Sequence, residues 1–193
     1  MNLPNALTLA RILLVPVFGW LWLTGRHGPA LWAFVIGGLT DVLDGLLARA
    51  LDQRTRLGAL LDPAADKLTL LVAFLVAVSV GSVPWWLAAL VIGRDIVLSS
   101  AAAVYTLVRH RRWDPSEWHP TRIGKYATFF QLATIALALV ARAADSDLLR
   151  PWVGGLVLVT TAITTVALLQ YLAAGVRLFR RTDGAERASP QPA

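Results

Sequence analysis

The sequence predicts an all-α membrane protein whose chain crosses the bilayer six times. Three observations carry that prediction. The 193 residues are 56% hydrophobic, with a mean hydropathy of +0.60, which is more apolar and less charged than a soluble domain of this length. The apolar residues fall in blocks of about 20, the length of helix that spans a bilayer core. The connectors between blocks are short. Such blocks must satisfy their backbone internally, so they are helices packed on helices with lipid around them.

The six spans are expected at about 6–24, 31–50, 59–81, 85–108, 123–142 and 152–178. The first ends at "GRHGP", where glycine and proline interrupt the apolar run. The second ends at "LDQRTRL" and the third at "GSVP". The fourth runs into the longer "RHRRWDPSEWHPTR", and the fifth stops at "AADSDLLRP". The sixth gives way to "RRTDGAERASPQPA", a polar, proline-containing stretch expected to be disordered. The expected organisation is one membrane domain, 1–179, and a cytoplasmic tail, 180–193.

Orientation follows from the 18 basic residues. Fourteen fall on one side: Arg11, Arg49, Arg54, Arg56, Lys67, Arg109, Arg111, Arg112, Arg122, Lys125, Arg177, Arg180, Arg181 and Arg187. Arg26, Arg142 and Arg150 fall on the other, and Arg94 lies within the fourth span. The positive-inside rule then places both termini in the cytoplasm. Trp20, Trp22, Trp32, Trp85, Trp86 and Trp152 gather near the opposite span ends, where amphipathic indoles favour the interface. The net charge of +6 reads as this bias plus attraction to anionic membrane lipids, not as a nucleic-acid surface, because the cations sit in short loops. Cysteine is absent, which excludes disulfides and thiolate metal sites. The N-terminal run has one preceding basic residue and no small-residue cleavage site, so it is not read as a signal peptide.

Asp41, Asp44, Asp62 and Asp66 need an explanation in so apolar a chain. The topology puts the first pair towards the end of span two and the second near the start of span three, at the cytoplasmic mouth. Residues three or four apart share a helix face, so the two pairs can face each other across a cleft. Four carboxylates so placed repel one another and lose hydration. Hard divalent cations resolve that conflict, and oxygen-only ligands suit magnesium or manganese. Two such ions can clamp a phosphoryl group. Gly45, Ala48 and Gly58 are small where a ligand could approach closely, and Arg49 offers a planar fork for phosphate. Each part also has a plainer reading. Small residues pack membrane helices, Asp62-Pro63 suits a helix start, Arg49 can snorkel, and Lys67 can pair with a carboxylate.

The ordered pattern Asp41-x2-Asp44-Gly45-x2-Ala48-Arg49-x8-Gly58-x3-Asp62-x3-Asp66 resembles the complete signature of the CDP-alcohol phosphatidyltransferases, with eight specified positions across 26 residues. The opening "NLPNALTLARILLVPVF" is similar to the first span of the branch that makes phosphatidylglycerophosphate and cardiolipin. The resemblance implies an enzyme of phospholipid biosynthesis. An acceptor hydroxyl attacks the lipid-linked phosphorus of CDP-diacylglycerol, and CMP leaves. It further implies that Asp41, Asp44, Asp62 and Asp66 ligate two divalent ions, Mg2+ or Mn2+. Asp66 is then also the general base, and Gly45, Ala48, Arg49 and Gly58 line the CDP site. The active site would face the cytoplasm of an integral, multi-pass protein, an arrangement compatible with a homodimer.

Further positions bear on the acceptor. Arg94-Asp95 within span four is either an internal ion pair that orients helices or an acceptor-side cation. Arg122 and Lys125 are either membrane anchors or ligands of acceptor phosphate. The stretch "TRIGKYATFFQ" resembles the branch's Gly-Lys-x-x-Thr-x-x-Gln element at Gly124, Lys125, Thr128 and Gln131. Ala127 and Asp95 stand where phosphatidylglycerophosphate synthases usually carry Lys and Glu. These departures lean towards phosphatidylglycerol as acceptor, with glycerol 3-phosphate as the alternative. The loop "RHRRWDPSEWHP" reads as a membrane-resting segment. A divalent-cation transporter is a competing function, weakened because the acids sit at one mouth and spans five and six carry no acidic series. A non-catalytic membrane subunit leaves the ordered carboxylates unexplained.

Overall fold

The computed structural model describes residues 3–50, 56–109 and 122–188, with side chains described at 6–41, 43, 61, 64–100, 123–173 and 175. Among them there are six α-helices and no strand: α1 Leu3–Leu23, α2 His27–Ala50, α3 Arg56–Ser79, α4 Trp85–Arg109, α5 Arg122–Ala143 and α6 Arg150–Ala188. Each expected span has its helix. The starts of α1 to α3 lie a few residues earlier than the apolar runs, because a helix need not stop where hydrophobicity does. α6 continues to Ala188, past Arg180, where the sequence is expected to turn disordered. Arginine, alanine and glutamate sustain helix there, and the next proline is Pro190. Among the described residues, Ala6–Leu23, Ile123–Ala143 and Arg150–Ala173 are long and apolar enough to cross a membrane. α2, α3 and α4 carry Asp41, Asp66 with Lys67, and Arg94 with Asp95 inside their apolar runs.

α1, α3 and α5 end in the same way. After α1, Gly25 takes φ 78° while its amide bonds the Trp22 carbonyl and the Arg26 amide bonds that of Leu21. After α3, Gly81 takes φ 69° with matching bonds to Val78 and, from Ser82, to Ala77. After α5, Asp145 takes φ 44°, and Ser146 bonds the Ala141 carbonyl. This paired closure satisfies carbonyls that a helix end would otherwise leave bare. Asp145 does the work usually given to glycine, as short polar side chains can.

The contacts group into two units, one of Met1–Ala88 with Leu132–Val157, the other of Ala89–Gln131 with Leu158–Ala193. In the first, α1 is the helix on which both α2 and α3 pack. Phe18 meets the Phe34 ring of α2 at 5.4 Å. On the α3 side, Gly19 leaves room for the Val72 side chain, since a Cβ there would sit 3.3 Å from Val72 Cγ1. Val15, Phe18, Trp22, Ala30, Ala73 and Phe74 are buried. In the second unit, Ala127, Ala167 and Tyr171 form a buried cluster with Leu98, Ile123 and Ile163 against it. Fully buried Gln131 donates from Nε2 to Thr164 Oγ1 at 3.1 Å, and Thr160 Oγ1 donates to the Phe130 carbonyl at 3.1 Å, tying α5 to α6 where the apolar effect between helices is weak.

Large apolar side chains cover the outside of several helices, among them Leu13, Leu23, Leu39, Phe129 and Leu158. Apolar surface on that scale belongs in lipid, not water. Trp20, Trp32, Trp85, Trp86 and Trp152 are exposed. Trp22 is an exception to the sequence expectation. It is 1% exposed and packs against Phe18 and His27 (ring centres 6.1 and 4.7 Å away), so it is a core residue of the α1–α2 turn.

Candidate active site

Asp41 lies in the C-terminal half of α2, and Asp66 ten residues into α3. Helix α1 brings them together. The Nη1 of Arg11 lies 2.5 Å from Asp41 Oδ1 and donates to Asp66 Oδ1 at 2.6 Å. The Arg11 side chain is 2% exposed, while those of Asp41 and Asp66 are 45% and 53% exposed. The cation therefore lies sealed behind two half-open acids. Its stem lies over α2 at Gly37, where an added Cβ would sit 3.9 Å from Arg11 Cγ. A cation this buried is tolerated because two carboxylates compensate it.

Sequence reading placed the two aspartate pairs opposite each other and counted Arg11 as one more basic residue near the cytoplasm. It missed that Arg11 is the bridge. The available signal was an ionised residue inside an apolar span, which needs a partner. Asp44, Gly45, Ala48, Arg49, Gly58 and Asp62 lie outside the residues whose side chains are described. Among the described residues, no three candidate ligands of the His, Cys, Asp and Glu types come together. Asp41 and Asp66 nevertheless converge on one positively charged atom with oxygen donors alone. That donor chemistry fits a small, hard divalent ion.

The second unit holds the acceptor candidates. Arg94 is 6% exposed; Nη1 pairs with Asp95 Oδ1 at 3.0 Å and Nη2 donates to the Gly124 carbonyl at 3.4 Å. Its guanidinium also stands 5.8 Å from the centre of the Tyr171 ring, within cation–π range. Arg94 thus joins α4 to the start of α5 and to α6, next to exposed Lys125. The Arg122 side chain lies outside the described residues. Ala127 is fully buried, within the cluster with Ala167 and Tyr171.

An open cavity of about 580 Å³ lies elsewhere in the first unit, lined by Val80, Pro84, Ala138, Arg142, Arg150 and Val153 among others. It sits beyond the end of α3, roughly 20 Å along that helix from Asp66 at 1.5 Å per residue. Arg150 is held there by Asp145 at 3.2 Å and Asp147 at 2.8 Å. The carboxylate site and the cavity are separate places.

Comparison with known proteins places this geometry in context. The family model described as CDP-alcohol phosphatidyltransferase matches residues 1–172. A protein of Pseudomonas fluorescens named CDP-diacylglycerol–glycerol-3-phosphate 3-phosphatidyltransferase is 35% identical over 184 residues, covering 90% of each chain. The human cardiolipin synthase (CMP-forming) is 35% identical over 155 residues, 72% of this chain and 50% of the human one. A Schizosaccharomyces pombe fusion of cardiolipin synthase (CMP-forming) with a mitochondrial hydrolase is 35% identical over 150 residues, 72% of this chain and 25% of its own length.

Proposed function

Because the chain belongs to the CDP-alcohol phosphatidyltransferase family and is a transferase of phospholipid biosynthesis, we propose that it moves the phosphatidyl group of CDP-diacylglycerol onto phosphatidylglycerol, giving cardiolipin and CMP. The observation that carries the chemistry is the convergence of Asp41 and Asp66 on a single cationic atom. In this reading Asp41, Asp44, Asp62 and Asp66 hold two divalent ions, Mg2+ or Mn2+. When bound, the ions neutralise charge on the diphosphate and on departing CMP. Asp66 takes the proton of the acceptor hydroxyl as its oxygen bonds to the lipid-side phosphorus and the bond to the CMP oxygen breaks. Gly45, Ala48 and Gly58 admit the nucleotide closely, and Arg49 forks onto its phosphate. Arg94, Arg122 and Lys125 bind the acceptor's anion.

The choice of acceptor rests on charge. Glycerol 3-phosphate carries close to two negative charges near neutral pH and calls for several free cations. Arg94 divides its charge among Asp95, the Gly124 carbonyl and Tyr171, which leaves less for an anion, and buried Ala127 brings none. Phosphatidylglycerol carries one charge and arrives by lateral diffusion on its own lipid anchor. Glycerol 3-phosphate is the second reading, favoured by the near-full-length match to the Pseudomonas protein. Purified protein in detergent, given CDP-diacylglycerol and either acceptor, should release CMP faster with phosphatidylglycerol and form cardiolipin. Ready formation of phosphatidylglycerophosphate without cardiolipin would reverse the acceptor and leave the family reaction standing.

The same reading makes all six helices membrane spans, with both termini and the carboxylates on the cytoplasmic side of a multi-pass protein. Support comes from the 14-to-3 division of basic residues and from the exposed tryptophans. Cysteines introduced singly at Ser82 and at Ser116, the latter outside the described residues, should be labelled by an impermeant reagent from opposite faces of the membrane. Labelling from one face would remove the six-span arrangement.

A further inference from the structure

We propose that the open cavity between the end of α5 and the start of α6 binds one phospholipid of the zwitterionic, phosphoethanolamine type, with its phosphodiester on Arg142. The inference rests on α5 and α6 crossing a membrane, and not on the reading of the reaction or of its acceptor.

The apolar stretches of these two helices run Ile123–Ala143 and Arg150–Ala173. Arg142 and Arg150 both line the cavity, so it lies where one stretch ends and the next begins. That is the level at which hydrocarbon gives way to headgroups. Exposed Trp152 adjoins the lining residue Val153 in the chain, and exposed Trp85 and Trp86 follow the lining residue Pro84. Tryptophans gather at this level of a membrane. The volume, about 580 Å³, is that of a ligand pocket. Val80, Ala138, Val153 and Val157 give it an apolar side, suited to the first part of an acyl chain. Arg142 is exposed, and among the described residues none pairs with its side chain. An arginine at the end of a span can be a plain anchor. This one borders room for a ligand, and its planar fork matches a phosphate. Arg150 differs, because Asp145 and Asp147 both hold it, at 3.2 and 2.8 Å. Two acids on one cation leave a surplus negative charge beside the unpaired positive charge of Arg142. Such a balanced rim complements a headgroup that carries both a phosphate and an ammonium, and gives no net attraction to an anionic one. Under the topology proposed above, this lipid belongs to the leaflet opposite the carboxylates.

Native mass spectrometry of the purified, full-length protein, stripped of lipid and titrated with dioleoyl phosphatidylethanolamine, tests this without CDP-diacylglycerol or turnover. One lipid should be held more tightly than any further ones. Arg142→Gln should weaken that lipid about tenfold, the equivalent of one charge-assisted hydrogen bond. Arg142→Lys, which keeps the charge, should recover part of the loss. Gly154→Leu should weaken it by a comparable factor. Gly154 lines the cavity and an added Cβ there meets nothing within 4 Å, so the larger side chain takes up ligand room without a clash. Dioleoyl phosphatidylserine, which adds a carboxylate to the same headgroup, should bind more weakly than phosphatidylethanolamine. Unchanged binding in both Arg142→Gln and Gly154→Leu overturns the proposal, leaving only a general lipid shell. A loss in one of them alone overturns it too. Arg142→Gln alone marks a surface charge outside the cavity, and Gly154→Leu alone an apolar crevice with no phosphate contact. Phosphatidylserine held as tightly as phosphatidylethanolamine also overturns it. Should Gly154→Leu not fold, Arg142→Gln and Arg142→Lys decide, and binding unchanged in Arg142→Gln overturns the proposal.

Discussion

Asp66→Asn is expected to cut phosphatidyl transfer by about 10²- to 10⁴-fold, the usual contribution of a positioned general base. The amide cannot accept the acceptor proton, and it is a poorer ligand for a hard cation. Folding should suffer much less. Arg11 loses its 2.6 Å bond to Asp66 but keeps Asp41 at 2.5 Å, so the buried guanidinium is not left bare. A loss of about 1–2 kcal/mol is expected from the missing charge-assisted bond. CDP-diacylglycerol binding separates the roles of the two acids. Asp41→Asn should weaken metal-dependent binding together with turnover, whereas Asp66→Asn should lose turnover in greater proportion, because a base is needed only in the transition state. Near-normal turnover of Asp66→Asn would remove this side chain from the mechanism.

Arg94→Ala should destabilise the protein by about 3 kcal/mol, the low end for breaking a buried pair because the Asp95 side chain keeps 20% exposure. Three contacts vanish together: the ion pair to Asp95, the bond to the Gly124 carbonyl and the approach to Tyr171. Arg94→Lys should recover part of the loss, since an ammonium can still meet Asp95 but cannot fork and stack in the same way. Thermal unfolding in detergent measures both variants. The experiment also separates the two roles open to this residue. A stable Arg94→Ala with a raised KM for the acceptor would mark a binding residue, whereas lost stability with an unchanged KM in Arg94→Lys would mark an orienting ion pair.

Much of the fold was legible in the chain because the signals are local. Each run of about 20 apolar residues has its helix, and the described connectors after α1, α3 and α5 form turns. α1 and α2 are separated at Gly25, and α3 and α4 at Gly81, both at positive φ. The extension of α6 to Ala188 was not legible from hydropathy, since helix propensity outlasts the apolar run that announces a span. The burial of Trp22 was hidden for a related reason. Its position near a span end suits the interface, but which face of α1 it occupies depends on what packs there, and Phe18 and His27 enclose it.

By itself the sequence determined the helical class, the membrane environment, the order of the helices and, through eight residues at fixed spacing, the enzyme family. All of these follow from composition, from runs of length matched to a bilayer, and from spacing along one stretch of chain. Only the tertiary structure decided that Arg11 bridges Asp41 and Asp66, which stand 55 residues from Arg11 in the case of Asp66. It also decided that Arg94 binds the Gly124 carbonyl of another helix beside Tyr171, and that Ala127 faces a closed cluster. The physical reason is the same in each case. A charge in a helix finds its partner according to the rotation and axial offset of the neighbouring helices. Those are set by side-chain packing such as that of Val72 at Gly19 and the stem of Arg11 over Gly37, and no periodicity within a single helix encodes them.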